Sequence, residues 1–317
     1  MDLSKEFTRH FPEGLVSDHD FSLFEVSEGF FLGYDESNNV AVVCRSNKPN
    51  RTVLMQKTKL LSVECNVNVS FYVEDTQHDG VVHIIRCFAQ TKREREIFIE
   101  LSPLFHEACC HEDQEEAILE VVATLSAFFA STKEPSFTEL QGLYAELYTI
   151  LSYNSRINLG RFWQSKERMK FDFSISDRTK LEIKSTIKPD RIHHFRHEQL
   201  LSDIYCVYVI SYMFREDDEG LSLYDIIEQC KPLLQGEPKK LLAIYRITKN
   251  ASIEQLKAFR FNEEYTKKYR RIYRASDIPQ FAGSTPTGVT NAEYDCNLTC
   301  AVPISESVFW KELGIAE

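Results

Sequence analysis

The sequence predicts an α+β or α/β fold: a β-rich amino-terminal domain, a second core of αβββαβ order and a mixed carboxy-terminal extension. Two hydrophobic periods support this, because residues before about 100 alternate as strands do and residues 113–153 repeat as helices do. The length of 317 residues exceeds one small core. We place the domains at residues 1–132, 133–250 and 251–317.

The amino-terminal region is predicted to form hairpins. FFLGYDESNNVAVVCR has the pattern of a strand, a polar reversal and a second strand, and SVECNVNVSFYVED alternates apolar and polar residues. VVHIIRCFAQ and EIFIEL are predicted as further strands. This order of short strands favours an antiparallel sheet.

Helical spacing begins at residue 113 and continues to about 131, where a segment with Pro135 predicts a break. The elements expected after the break follow in chain order. They are a helix at 137–153, extended segments near 161–165, 170–176 and 180–186, a helix at 194–202, the buried strand IYCVYVISYMF, a helix near 223–234 and the strand LLAIYRI.

Charge is distributed unevenly, although the formal net charge is −11. Residues 156–197 contain 11 Lys/Arg against 5 Asp/Glu, and residues 239–274 contain 11 against 3. The acidic total argues against a simple DNA-binding module, whereas two basic segments suit an enzyme that contacts DNA through one cleft. The sequence lacks the apolar core of a signal peptide and any run of about 18 apolar residues, so we expect a cytoplasmic protein without membrane attachment.

One hairpin, KFDFSISDRTKLEIKST, combines acidic and basic side chains with strand periodicity. Asp172 lies between Phe171 and Phe173, so its side chain points away from the two phenyl rings. Glu182 and Lys184 are two residues apart and therefore share one face of the next strand. Pairing of the two strands would bring Asp172, Glu182 and Lys184 together.

Phosphodiester hydrolysis requires such a set of side chains. Two carboxylates are hard oxygen ligands for Mg²⁺, for which Mn²⁺ can substitute. The metal polarises the phosphate and makes hydroxide available near neutral pH. A neighbouring lysine can position the attacking water or neutralise the transition state.

These residues resemble the PD-(D/E)XK nuclease superfamily, the fold of many restriction endonucleases. The motif stands as Phe171-Asp172, nine intervening residues and Glu182-Ile183-Lys184, with Phe171 where the name motif has Pro. The resemblance implies that Asp172 and Glu182 bind the metal with the carbonyl of Ile183 as a third ligand, and that Lys184 assists the nucleophile or the transition state.

Two further residues extend the resemblance, which covers about residues 138–214. Glu146, in GLYAELYTIL, matches the acidic residue that the superfamily often carries on the helix before its core sheet. Gln199, in HEQLL, matches a polar residue that some branches carry on the following helix. The resemblance implies that Glu146 tunes the site or binds a second metal, and that Gln199 orients substrate or water.

The combination of GLYAEL, Trp163, FDF, LEIKST and RIHHFRHEQL is similar to one branch of this superfamily. Members of that branch are found beside helicase, ATPase and methylase genes in bacterial restriction-like defence systems. The resemblance implies a DNA substrate and helicase, ATPase or methyltransferase partners. A homodimer would suit cleavage of both strands.

Hydroxyl, histidine and basic side chains after the third core strand are predicted to contact the nucleic acid, because charge on phosphate gives affinity without sequence information. They are Ser185, Thr186, Lys188, Arg191, His194, Arg196 and His197. Residues 257–274 interleave basic and aromatic side chains. This pattern fits nucleic-acid stacking and an amphipathic helix equally well.

The function predicted from the sequence is a metal-dependent DNA endonuclease, a hydrolase of a restriction or antiviral defence system. The alternative is a non-catalytic DNA-binding, sensor or scaffold subunit of a defence complex, in which the acidic amino-terminal domain docks a partner. No P-loop, GxGxxG or GxSxG motif supports another chemistry.

Overall fold

The computed structural model describes residues 3–12, 20–48, 51–73, 76–164, 170–201, 204–281, 283, 285–289 and 291–315. The chain forms two compact units. The first comprises residues 1–133 and 235–242, and the second comprises residues 134–234 and 243–317. The fold is therefore mixed, and its amino-terminal region is rich in strands as the sequence predicts.

One six-stranded sheet organises the first unit, in the order β1-β2-β3-β6-β5-β4. Its strands are β1 (Phe21–Ser27), β2 (Phe30–Asp35), β3 (Val40–Arg45), β4 (Leu54–Lys57), β5 (Leu61–Val73) and β6 (Thr76–Cys87). The end of β5 also pairs in parallel with β1, through Ser22 with Tyr72 and Leu23 with Val73. Five strands thus close a ring, and β4 lies outside it on the first half of β5.

A bulge in β5 separates the half that pairs with β4 from the half that pairs with β1. Cys65 and Asn66 lie opposite His83 alone on β6, and Asn66 has a φ of 58°. Asparagine adopts this left-handed conformation more readily than other non-glycine residues. Its side chain is fixed by Ser46 Oγ, which donates at 2.7 Å, and by Glu115 Oε1, which accepts at 2.6 Å.

Within residues 1–133, the described part of the chain contains four helices: α1 (Leu3–His10), α2 (Lys92–Leu101), α3 (Pro103–Cys109) and α4 (Gln114–Ala130). The predicted strand EIFIEL is wrong, because these residues belong to α2. Thr91 caps α2 by accepting from the backbone N–H of Glu94. The buried side chains of Ile97, Phe98 and Leu101 have helical spacing.

The second unit is built on a four-stranded sheet in the order β13-β10-β8-β7. Its strands are β7 (Phe173–Ser174), β8 (Thr179–Thr186), β10 (Cys206–Met213) and β13 (Arg271–Arg274). β8 runs parallel to β10, whereas β7 and β13 are antiparallel to their neighbours. Two smaller ladders pair β9 (Ile192–Arg196) with β14 (Glu293–Asn297) and β11 (Glu216–Ser222) with β12 (Arg260–Phe261).

The helix before this sheet, α5 (Phe137–Tyr153), has the predicted bounds. It begins with a capping box in which Ser136 accepts from the backbone of Glu139 and Glu139 accepts from the backbone of Ser136. The remaining helices are α6 (His197–Leu200), α7 (Leu223–Cys230), α8 (Pro238–Thr248), α9 (Ile253–Ala258), α10 (Glu263–Tyr269) and α11 (Glu306–Glu312).

Three predictions for this part of the chain are corrected. LLAIYRI lies in α8 rather than in a strand, and the helix expected at 194–202 is strand β9 followed by the single turn α6. Ser202 lies outside the described residues. The first extended segment is reduced to a 3₁₀ turn, Leu159–Phe162, and one bridge between Trp163 and Phe173, and Ser165 lies outside the described residues.

No helix in the described ranges is long and apolar enough to cross a membrane.

Candidate active site

The β7–β8 hairpin carries three of the predicted site residues. Phe171 and Phe173, which flank Asp172, are 6% and 0% exposed, and Phe173 lies opposite Leu181. These rings anchor the hairpin in the core while Asp172 keeps partial exposure. The alternation predicted from FDF is therefore confirmed.

Asp172 is connected to the next strand directly. Its Oδ2 accepts a hydrogen bond of 2.6 Å from the backbone N–H of Ile183. Ile183 lies between Glu182 and Lys184, so this bond holds Asp172 beside both residues. The hairpin thus brings the three predicted residues together.

Glu182 is buried, with 3% exposure, and one of its carboxylate oxygens is fully engaged. Oε1 accepts from Lys184 Nζ at 2.8 Å and from Gln199 Nε2 at 2.8 Å. Oε2 has no hydrogen-bond partner among the described residues. A buried carboxylate oxygen without a donor is costly, and it is a natural position for a cation.

Gln199 holds Glu182 in place from the single-turn helix α6. Its Oε1 accepts from the backbone N–H of Arg196 at 3.0 Å, and its Nε2 also reaches the carbonyl of Lys170 at 3.2 Å. The amide group is therefore fixed at both ends, which sets its orientation toward Glu182.

Glu146 joins the cluster from α5. Its Oε2 accepts a hydrogen bond of 2.6 Å from Trp163 Nε1. The charge of Glu182 raises the pKa of Glu146 and that of Lys184 lowers it, so the three residues interact electrostatically. The structure thus assembles five predicted residues: Glu146, Asp172, Glu182, Lys184 and Gln199.

Burial dominates the electrostatics of the cluster. It raises the pKa of Glu146 to about 7, against the opposing effect of the Trp163 hydrogen bond. The pKa of Asp172 is well above its ordinary value because of burial and the charges of Glu182 and Glu146. Burial also raises the pKa of Glu182, which Lys184 opposes. Three carboxylates in a poorly solvated position require a cation to stay charged together.

The oxygen atoms of the cluster are ligands of the kind that a hard divalent cation prefers. Within the described ranges, no three His, Cys, Asp or Glu side chains are arranged as a ready ligand set. The arrangement offers Asp172 and Glu182 as carboxylates, the unpartnered Oε2 and nearby backbone carbonyls, which are the oxygen ligands that Mg²⁺ and Mn²⁺ prefer.

Two of the residues predicted to contact nucleic acid, Arg191 and His197, are buried and form hydrogen bonds within the protein. Arg191 is 8% exposed and donates to Ser211 and to the carbonyl of Tyr269. His197 is 4% exposed and bonds to the carbonyl of Gly283. Both side chains are held by neighbouring protein groups in the structure, and their contact with a phosphate stays a prediction.

Three other residues predicted to contact nucleic acid, His194, Arg196 and Lys188, have exposed side chains. His194 lies against Glu293 and Asp295, and Arg196 lies against Glu293, so acidic partners offset these exposed side chains. Lys188 is exposed.

Two hydroxyl residues at the end of β8 complete the set of predicted contacts. Ser185 accepts from Gln141 Nε2 at 2.9 Å. Thr186 is buried and accepts from the backbone N–H of Lys188. Both hydroxyl groups are therefore held by neighbouring protein groups.

The segment 257–274 is not one amphipathic helix. It divides into the end of α9, β12, α10 and β13. Arg215 lies over the ring of Tyr265 at 4.8 Å, and Ile272 and Tyr273 are buried in β13. The prediction of one helix is therefore wrong, and Tyr273, the aromatic residue of β13, packs in the sheet.

Trp163 is a neighbour of the candidate site that was not predicted from the sequence as a site residue. In the sequence it is one part of the pattern shared with the similar branch, whereas in the structure it is the hydrogen-bond donor to Glu146. Its indole is 4% exposed, and its backbone bridges Phe173. In the sequence, Trp163 stands between the acidic helix and the hairpin, and this position does not by itself indicate a contact with Glu146.

Comparison with known proteins identifies one family. The model of the DUF4420 family, whose description is "Putative PD-(D/E)XK family member", matches residues 25–299. No match was found among curated proteins or among solved structures.

Proposed function

Since the chain belongs to the DUF4420 family of PD-(D/E)XK proteins, we propose that it is a metal-dependent nuclease whose site is built from Asp172, Glu182 and Lys184. The observation that carries the proposal is the convergence of these side chains on Glu182. Asp172 accepts a hydrogen bond from the backbone of Ile183, which follows Glu182 in the chain. Lys184 and Gln199 both donate to the carboxylate of Glu182.

The order of elements supports a restriction-endonuclease-like core. A helix, α5, precedes an extended bridge at Trp163, the strands β7, β8 and β9, the turn α6 and strand β10. β10 lies parallel to β8, as expected when a helical turn connects two strands of one sheet. We infer from this order an αβββαβ core in which the first strand is a single bridge and β9, which pairs with β14, is an addition before α6.

Mg²⁺, with Mn²⁺ as a substitute, is the cofactor that we propose. Asp172, Glu182 and the carbonyl of Ile183 would hold it, and Glu146 would tune the site or bind a second ion. When bound, the metal would supply Lewis acidity to the phosphate and lower the pKa of water. The free Oε2 of Glu182 and the raised pKa values of the carboxyl groups support this assignment.

The protein side chains have distinct roles in this proposal. Gln199 and the backbone of Ile183 hold Glu182 and Asp172 in orientation, because second-sphere hydrogen bonds set the direction of metal ligands. Lys184, once released from Glu182, would donate to the attacking water or to a non-bridging phosphate oxygen. A fixed ammonium group there stabilises the negative charge that develops in the transition state.

DNA is the substrate that we propose, in a restriction or antiphage system. The support is the similarity to a branch of defence-associated proteins and the positive balance of residues 156–197. Lys188 is an exposed basic residue two positions after the ExK strand, and it suits contact with the backbone.

The test is cleavage of plasmid and linear DNA with Mg²⁺ or Mn²⁺, comparing wild type with Asp172→Ala and Lys184→Ala. Matched controls are Asp177→Ala and Arg178→Ala, because both residues are exposed in the turn of the same hairpin. We expect metal-dependent cutting by wild type and by both controls, and a loss of at least about a hundredfold in the site variants.

Each outcome has a definite meaning. Cutting that survives in both site variants would overturn the site assignment. DNA binding without cutting by wild type, unchanged in Lys184→Ala, would favour the alternative of a non-catalytic DNA-binding or sensor subunit.

A further inference from the structure

Strand β4 forms an open edge in the first unit. All four of its residues are exposed, and Leu54 and Met55 are 39% and 68% exposed. The preceding Val53 is 46% exposed. One side of β4 pairs with β5, and no strand in the described ranges pairs with the other side. Exposed apolar edges of this kind are templates for pairing with another chain.

An open groove lies on one face of β4, with a volume of about 500 Å³. Leu54, Leu119 and Ala123 provide its apolar surface, and Glu116 and Glu120 of α4 stand exposed beside them. Among the described residues, Glu116 and Glu120 form no ion pair. An incoming segment would therefore meet apolar surface and two unneutralised carboxylates.

A second groove, of about 490 Å³, lies along Met55 and Lys57. It contains exposed Glu36 and the pair Asp35 and Glu64, which Arg86 bridges. Successive residues of a strand face opposite sides. A strand added to β4 would thus place alternate side chains in two grooves. The first carries Glu116 and Glu120, unpaired among the described residues, and the second is lined by three acidic side chains and by the basic Lys57 and Arg86.

The charge of this region indicates what kind of segment fits. Residues 1–133 contain 22 Asp/Glu and 12 Lys/Arg, a formal net charge of −10. A second copy of the chain would bring the same acidic grooves together, and like charges opposed across an interface are unfavourable. A basic segment would gain from the same arrangement.

We propose that β4 is a docking site for an extended polypeptide segment of a partner protein, in which Lys or Arg alternates with β-branched residues. The segment adds as a further strand next to β4, so backbone hydrogen bonds supply affinity and the two grooves select its side chains. This site is independent of the proposed nuclease chemistry, and its test uses binding alone.

The first experiment measures fluorescence anisotropy of a labelled eight-residue peptide in which Lys alternates with Val, added to the full chain. Two control peptides carry Glu in place of Lys, or N-methyl groups on alternate backbone amides. We expect saturable binding of the Lys peptide and weakening on the order of tenfold or more for both controls. Absence of saturable binding up to about 1 mM would overturn the proposal.

Variants locate the site on the chain. Glu116→Lys with Glu120→Lys should weaken binding by about tenfold. Glu25→Lys with Glu28→Lys makes the same charge change at an exposed residue of β1 and an exposed residue of the turn after it, and should weaken binding far less. Equal losses in the two variants would indicate attraction to net charge alone and would refute the docking site.

Hydrogen exchange provides the second, independent readout. The bound peptide should slow exchange of backbone amides in residues 54–57 of the wild-type protein. Protection elsewhere without protection at β4 would place the peptide at another surface and would also refute the proposal.

Discussion

The carboxyl groups of Glu182 and its neighbours Glu146 and Asp172 affect the stability of the fold through their raised pKa values. Each of the three carboxyl groups in the cluster has a raised pKa, chiefly because of burial. A group whose pKa is raised on folding stabilises the folded state at pH values below its unfolded pKa. That contribution is lost as the pH rises through the folded pKa. At neutral pH without metal, the cluster therefore destabilises the fold.

We expect Asp172→Asn to raise the melting temperature of the metal-free protein at pH 7.5 and to abolish cleavage. The asparagine oxygen can still accept from the N–H of Ile183, and the buried charge is removed. Each kcal/mol regained should raise the melting temperature by about 2–4 °C. Thermal unfolding at pH 7.5 and pH 4 checks this, because the gain should vanish at the lower pH. A matched Asp177→Asn variant should show no gain.

The same cluster predicts how metal affects stability. Mn²⁺ or Mg²⁺ at about a hundred times its dissociation constant should stabilise wild type by about 2.7 kcal/mol. Asp172→Asn should lose most of this response. Equal stabilisation of both proteins in the same thermal assay would show that the ion binds elsewhere.

Trp163 offers a test of a positioning residue. Trp163→Phe removes the donor to Glu146 and keeps most of the buried ring. We expect the metal concentration for half-maximal cleavage to rise about tenfold to a hundredfold, the usual cost of losing a second-sphere partner. Trp310→Phe is the control, because Trp310 donates to Glu306 near the carboxy terminus. An unchanged metal response in Trp163→Phe would contradict the assigned role.

Individual site residues could be predicted where their spacing along one strand decides which face they share. Glu182 and Lys184 share a strand face because they are two residues apart, and their contact of 2.8 Å follows from that spacing. The contact between Trp163 and Glu146 joins residues seventeen positions apart through the packing of α5. No local pattern encodes such a contact, so it could not be predicted.

Among the elements, α5 carries the clearest start signal. Ser136→Ala removes one half of its capping box and should cost about 1 kcal/mol of stability. Chemical denaturation with urea measures this cost, and Thr132→Ala provides an exposed control outside the helix. A loss no larger than that of the control would show that packing alone fixes the start of α5.

The success of predictions for elements depended on length and composition. α5 and β10 were predicted well, because a long periodic stretch and a β-branched run each favour one structure. EIFIEL and LLAIYRI are short apolar runs, for which strand and helix cannot be separated by periodicity. The position of Pro238 at the start of α8 was the signal overlooked, since proline favours the first turn of a helix.

For the whole molecule, two adjacent histidines predict the response to acid. Burial lowers the pKa of His193 to about 3, whereas Asp295 and Glu293 raise the pKa of exposed His194. A histidine with a lowered pKa stabilises the fold above its unfolded pKa of about 6.5, and this contribution is lost as the pH falls. A histidine with a raised pKa, such as His194, stabilises the fold more as the pH falls.

We therefore expect His193→Gln to lose less stability than wild type between pH 7.5 and pH 5. His194→Gln should lose slightly more, because the ion pairs of an exposed histidine contribute little. Urea unfolding at the two pH values tests both variants. The carboxyl cluster is common to all three proteins and cancels from the comparison. Identical pH dependence in all three would refute the assignment.

The arrangement of distant segments was the part of the fold that the sequence did not disclose. β13 pairs with β10 although about 60 residues separate them, and β14 pairs with β9 across about 100. Such pairings depend on which edges remain open after nearer segments have packed. Periodicity reports the faces of an element but not its neighbours.

The bulge at Asn66 also has an evolutionary consequence. Because side chains alternate along a strand, gain or loss of one residue there would exchange the inner and outer faces of half of β5. That half joins β1 to close the ring of strands. Related sequences should therefore keep the length of the segment from Leu61 to Val73 and apolar residues at its buried positions, with asparagine or glycine at the position of Asn66.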